Sequence, residues 1–217
     1  AGKVVISDGP DAGSYEVERI LIATGSHASS LPGIEIDETR IVSSTGALAL
    51  PKVPKKLIVI GAGYIGLELG TVWARLGAEV EVIEFLPRIL PGMDDEIAKK
   101  FMAITRKQGL SFRLKTAVKT AKSGKSGVTL TVEPAGGGAA ETLKADVALV
   151  AVGRHPATDG LGLEDVGVAM TERGRIKVDS RFETSVEDIY AIGDVIDGPM
   201  LAHKAEEDGV AAVEMMA

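Results

Sequence analysis

Cysteine is absent from all 217 residues. That excludes disulfides, thiolate metal sites and a cysteine nucleophile within the chain, and it fits a reducing compartment. Aromatic residues make up only 4%, too few for a platform on which bases stack. Lys and Arg number 24 against 31 Asp and Glu, a formal net charge of −7. A chain of that sign is a poor match for nucleic acid or an anionic membrane surface. No apolar run approaches the roughly 18 residues of a membrane span, and the opening Ala-Gly-Lys-Val-Val-Ile lacks the layout of a signal peptide. Neither nucleic acid nor membrane is expected as a partner.

What the chain does have is glycine, 26 residues of it, placed at strand ends and tight turns rather than in a repeat. With 45% hydrophobic and 25% charged residues it is ordinary globular material, long enough to bury a sizeable core.

Residues 19–25 (Arg-Ile-Leu-Ile-Ala-Thr-Gly) predict a buried strand closed by a glycine turn, after two short strands over 3–7 and 15–17. The chain therefore opens in the middle of a sheet. Residues 31–54 are turn-rich and predict an irregular crossover. Strand–helix alternation follows: a strand over 56–60, a helix through Leu69, Val72, Trp73 and Leu76 to Gly77, and a strand over 79–84. A second helix is expected over 94–108, with Asp94, Asp95 and Glu96 at its dipole-favoured end and Ile97, Phe101 and Ile104 as its apolar stripe. Residues 110–118 predict a third strand, 128–133 and 142–144 a hairpin around Ala135–Gly138, and 145–152 another buried strand. Consecutive βαβ units imply a parallel sheet. Short strands over 175–178 and 188–192 and a helix over 202–216 complete the reading. That helix has no closing turn, so the chain is expected to be truncated at both ends.

Gly61-Ala62-Gly63-Tyr64-Ile65-Gly66 follows a strand and opens a helix, and Glu84 ends the next strand. That context makes the spacing a dinucleotide fingerprint. Gly61 permits the tight turn, Gly63 lets a pyrophosphate approach the backbone, and Gly66 lets helix and strand pack closely. Phosphates then meet amides at the positive helix end. Glu84 suits the two hydroxyls of an adenosine ribose and repels a 2′-phosphate, so NAD is expected over NADP, although Arg88 lies four residues on.

Gly61 to Glu68 resembles the NAD fingerprint of the two-dinucleotide flavoprotein reductases. Ile22-Ala23-Thr24-Gly25-Ser26 and Tyr190-Ala191-Ile192-Gly193-Asp194 resemble two motifs of their flavin domain. The run Met200-Leu201-Ala202-His203-Lys204-Ala205-Glu206-Glu207-Asp208-Gly209 is most similar to the dihydrolipoamide dehydrogenases (class I pyridine nucleotide-disulfide oxidoreductases).

The resemblance implies an α/β protein: a Rossmann-like NAD-binding domain (parallel sheet with βαβ units and a β-meander) over 46–153, flanked by parts of an FAD-binding domain over 1–45 and 154–217. It implies NAD contacts at Gly61, Ala62, Gly63, Tyr64, Ile65, Gly66, Leu67 and Glu68, at Glu84, at Val118 against the adenine and at Gly153 beside the nicotinamide half. Glu68 would lie where nicotinamide meets flavin. FAD contacts would fall on Thr24, Gly25, Ser26, Asp194, Met200, Leu201, Ala202 and His203.

By the same resemblance the partners are lipoyl domains and the acyltransferase core of 2-oxo acid dehydrogenase complexes. The family forms homodimers, in the bacterial cytoplasm or the mitochondrial matrix. The family's first glycine fingerprint, its redox cysteine pair and its histidine–glutamate pair have no counterpart here, so no catalytic residue and no metal ligand is assigned. The chain is expected to bind nucleotide without turning over dihydrolipoamide. Other members of the superfamily, or a pure NAD(H)-binding module, are the competing readings.

Blander roles stand beside these. Asp194 suits a turn, Glu68 a domain junction, and His203 a backbone contribution only. His27 and His155 are expected in solvated loops, Lys99, Lys100, Arg106 and Lys107 on a wet helix face, and Trp73 in the core.

Overall fold

The computed structural model describes residues 2–217. Packing divides them into two compact units, one of residues 2–27 with 154–217 and one of residues 28–153.

The chain begins in the first unit with a hairpin, β1 (Gly2–Ile6) and β2 (Gly13–Val17), followed by β3 (Ile20–Ile22) and β4 (Ser26–Ala28). The second unit is built on β5 (Ile41–Val42), α1 (Ser44–Leu48), β6 (Lys56–Ile60), α2 (Tyr64–Arg75), β7 (Glu79–Ile83), α3 (Asp95–Lys107) and β8 (Leu110–Arg113). Three longer strands follow, β9 (Thr116–Gly124), β10 (Gly127–Pro134) and β11 (Glu141–Ala145), and then β12 (Val147–Val150). β13 (Arg154–Pro156), β14 (Ile189–Ala191), a 3-10 turn at Gly193–Val195 and α4 (Ala202–Met216) return to the first unit.

The second unit is a five-stranded parallel sheet in the order β5-β12-β6-β7-β8. β12 and, after Lys56, β6 read as unbroken aliphatic runs because both faces are covered. On one face Leu57, Val59, Val80, Val82 and Leu149 pack against Leu67 and Trp73 of α2 and Ala98 of α3. On the other Ile58, Ile60, Ile83, Ala148 and Val150 pack against Val128, Leu130, Val132 and Leu143 of the antiparallel meander β9-β10-β11. Each such fully buried aliphatic side chain contributes about 1.5–3 kcal/mol by leaving water.

One acid is buried in this sheet. Glu81 is 8% exposed, held by Arg113 and, at 3.4 Å, by Lys56. Lys56 also reaches Glu79 at 3.1 Å and Arg113 reaches Glu141 at 2.6 Å. The Glu79 hydrogen bond, aided by Glu81, outweighs burial and raises the pKa of Lys56. Glu141 and then Glu81 do the same for Arg113.

Several local expectations need correcting. Residues 31–54 are not wholly irregular. β5 joins the sheet edge beside β12, and α1 starts at a Ser43 side-chain cap on the Thr45 amide. Residues 28–45 therefore pack with the second unit rather than with the segment before them. The strand expected over 110–118 is two strands, broken where Lys115 takes φ 51°. The stripe Ile97–Phe101–Ile104 does not face inward as a whole. Ala98 and Thr105 are the buried positions of α3, and Ile97 and Ile104 are half exposed. Leu76 likewise points outward from α2.

In the first unit β14 pairs in parallel with β3. Ile22, Leu163, Val168, Ile176, Ala191, Val195 and Ile196 form its core. The expected strand over 175–178 reduces to isolated bridges at Ile176. His27 and His155 lie on β4 and β13, not in loops.

Candidate dinucleotide site

The β6–α2 turn is fixed by atoms of the second unit. Gly61 takes φ 102°, in the left-handed region, and a Cβ there would lie 2.3 Å from the Ala151 carbonyl oxygen. A Cβ on Gly66 would lie 2.2 Å from the carbonyl oxygen of Gly61 itself. Both positions exclude any side chain.

Gly63 differs. Its φ is −79°, it is the residue before α2, and an added Cβ would meet nothing within 4 Å. No side chain caps this helix start. Helix-start amides lack intrahelical acceptors, so the turn offers donors and room where a diphosphate would need both.

Glu84 closes the arrangement. The Ala62 amide donates to its Oε2 at 2.7 Å and the Leu86 amide to its Oε1 at 2.8 Å, while Gly61 donates to the Ile83 carbonyl at 2.8 Å. The carboxylate is thus held at the fingerprint turn, twenty-two residues away in sequence. The backbone of Glu84 bridges two further strands, donating to Arg113 and accepting from Thr116, both at 2.9 Å. Val118 lies two residues beyond Thr116 on β9, half-buried against the meander core. Gly153 follows Ala151 by two residues, at φ 128° with open space at its Cβ position. Tyr64 and Glu68 are exposed on α2, Ala62 and Leu67 are buried in the helix-side core, and Ile65 lies between. Arg88 does not reach Glu84. Its guanidinium binds the carbonyl of Met93 and the carboxylate of Asp95, bracing the loop before α3.

The first unit gathers a second set. Ser26 donates its hydroxyl to the Asp194 carboxylate, and Arg154 donates to the Ser26 hydroxyl and carbonyl, both at 2.6 Å. Arg154 is 4.0 Å from Asp194. Gly193 is anchored to α4, its amide donating to Asp208 at 3.1 Å, and Lys204 pairs with Asp208 at 2.6 Å. Gly25 takes φ 75°, and the Thr24 hydroxyl turns to the Ala157 carbonyl at 2.7 Å. Met200 and Leu201 precede α4, and Ala202 and His203 open it, the latter two exposed. Arg154 was not among the expected site residues. The only sequence signal was a lone cation directly after Gly153.

The sequence matches the profile of the pyridine nucleotide-disulphide oxidoreductases over residues 1–209. The chain belongs to that family. It is 59% identical over 200 residues to the mitochondrial dihydrolipoyl dehydrogenase of Pisum sativum, covering 92% of this chain and 40% of the pea protein. To the mitochondrial dihydrolipoyl dehydrogenase of Dictyostelium discoideum it is 54% identical, covering 99% of this chain and 44% of that protein. The crystal structure of LpdA from Mycobacterium tuberculosis superposes with a TM-score of 0.85 at 28% identity, covering 98% of this chain and 45% of that one. The α/β fold with its parallel sheet is therefore that of the flavoprotein disulfide reductases. The chain spans about 40% of the length of the curated relatives it matches. Family membership brings the expectation of a flavin and a pyridine nucleotide. No described helix is long and apolar enough to cross a membrane.

Proposed function

We propose that residues 28–153 bind NAD(H) and that residues 2–27 with 154–217 carry part of an FAD site, the whole being a portion of a dihydrolipoyl dehydrogenase. The observation that carries the NAD half is the Glu84 carboxylate fastened to the fingerprint turn, beside the open space at Gly63. A carboxylate so placed accepts hydrogen bonds from ribose hydroxyls and repels a 2′-phosphate. The residues present fit the group: amides at the start of α2 face a diphosphate, Glu84 a ribose, Val118 an adenine, and Gly153 the nicotinamide side. Bound NAD supplies the hydride acceptor, and this chain's residues supply position and electrostatics.

In the first unit Thr24, Gly25, Ser26, Asp194 and the stretch Met200–His203 would hold flavin, with Arg154 fixing Ser26. In the complete protein, dihydrolipoamide on lipoyl domains of 2-oxo acid dehydrogenase complexes would be the electron source. The setting would be the mitochondrial matrix or a bacterial cytoplasm, with homodimers as the assembly. The mitochondrial relatives by name favour the matrix. A second reading rests on the missing cysteines: these 217 residues alone bind NAD(H) and leave dihydrolipoamide untouched.

Calorimetric titration of the purified chain tests the proposal. NADH is expected to bind, NADPH more weakly, and Glu84→Gln to weaken NADH by about 1–3 kcal/mol through loss of charged ribose contacts. An unchanged NADH affinity in that variant, or a preference for NADPH, removes Glu84 from the site.

A further inference from the structure

Residues 85–93 run from β7 towards α3 and are fastened to the fingerprint turn. Ile89 and Leu90 are buried in the helix-side core with Ala62 and Ala98. The Leu90 amide donates to the Ala62 carbonyl at 2.9 Å, and the Lys115 amide donates to the Leu86 carbonyl at 3.0 Å. The same loop supplies the Leu86 amide that holds Glu84 Oε1, while the Ala62 amide holds Oε2. Both carboxylate oxygens are therefore aimed by backbone that this loop keeps in place.

The loop is held against its own conformational preference. Leu90 takes φ 47°, a left-handed conformation unfavourable for a bulky side chain. Arg88 spans the bend. Its Nη2 donates to the Met93 carbonyl and, at 3.4 Å, to the Leu90 carbonyl, and its Nη1 pairs with Asp95 at the start of α3. Little of this adds to folding stability. The Asp95 side chain is 66% exposed, so solvent screens the ion pair. Arg88 Nε is buried with no acceptor among the described residues, which is unfavourable.

We propose that Arg88 is a positioning residue of the nucleotide site: locked to Met93 and Asp95, it holds residues 85–93 in the shape that aims Glu84 at the adenosine ribose. This role rests on the NAD(H) reading above and adds a residue to it. A cation four residues past Glu84 then favours NADH over NADPH, because its guanidinium is engaged within the loop and serves the carboxylate rather than a 2′-phosphate.

The test is calorimetric titration of the 217-residue chain and its variants with NADH and NADPH, at raised ionic strength to screen general charge effects. Arg88→Met is expected to weaken NADH roughly tenfold, the size of coupling found within one hydrogen-bonded network, and to weaken NADPH less. Asp95→Asn shifts the net charge the opposite way, yet it is expected to narrow the NADH preference too, by a smaller factor. In a Glu84→Gln background, Arg88→Met is expected to weaken NADH no further, because its effect passes through that carboxylate. Far-ultraviolet circular dichroism checks the fold of each variant, and Asp95→Asn carries the same comparison should Arg88→Met lose its fold. Equal weakening of both nucleotides, greater weakening of NADPH, or additivity with Glu84→Gln overturns the role of Arg88 and leaves the NAD(H) reading intact. An unsubstituted chain that binds no NADH overturns both.

Discussion

Gly61, Gly63 and Gly66 differ in what an added methyl group would meet, and substitution separates their roles. At Gly61 and Gly66 it would run into backbone carbonyl oxygens, and Gly61 also needs a positive φ. Gly61→Ala and Gly66→Ala should each cost roughly 2–4 kcal/mol of folding stability, read from urea denaturation. Gly63→Ala has free space and an ordinary φ. It should cost about 1 kcal/mol or less, the difference between Gly and Ala before a helix, while weakening NADH binding clearly. A Gly63→Ala chain that binds NADH with undiminished affinity would show that the phosphates lie elsewhere.

Among the elements, the turn leading into β5 carries a pH-dependent contribution. Burial pushes the Asp37 carboxyl up, but amides of Arg40, Thr39 and Ile41 and the Ser123 hydroxyl outweigh it and hold the pKa down at about 2. The three amides donate to Oδ1 at 2.7, 2.8 and 3.0 Å in that order. A carboxylate depressed on folding stabilises the native state fully above its unfolded pKa. It loses that contribution as pH falls through the folded value. Stability should therefore drop between about pH 4 and pH 2, and Asp37→Asn should flatten that limb. Parallel urea titrations across this range check it, and identical slopes would rule the turn out.

Elements were legible where apolar runs and glycine punctuation agree: β6, α2 and β7 fall where the sequence puts them, and Gly77 and Gly109 end their helices. The break at Lys115 was not, because a non-glycine residue in the left-handed region leaves no compositional trace. Nor was β5, two residues long, which exists by pairing with β12 more than a hundred residues later. Ile97 and Ile104 misled because periodicity gives the width of an apolar stripe and not its centre. Of the candidate site, the fingerprint and Glu84 were readable from spacing. Arg154 was not, since only the pairing of β4 with β13 brings it to Ser26.

For the molecule as a whole, each unit has a hydrophobic core of its own. The cores on either face of the parallel sheet are built from residues of the second unit, and the third core from residues of the first. Residues 28–153 produced alone should therefore unfold cooperatively in urea and bind NADH as tightly as the 217-residue chain. A non-cooperative transition, or affinity recovered only with the flanking segments, would mean that the sheet depends on them.

Glu81 bears on how the central strands find one another. Shifting β7 by a single position against its neighbours would turn this carboxylate toward Leu57, Val59 and Trp73, stranding an unmatched anion among hydrocarbon. Aliphatic side chains alone would tolerate such a slide more readily, for one valine or isoleucine replaces another at little loss. The acid between Lys56 and Arg113 thus serves as an alignment key: competing arrangements of the sheet are disfavoured whatever the native pairing itself adds to stability.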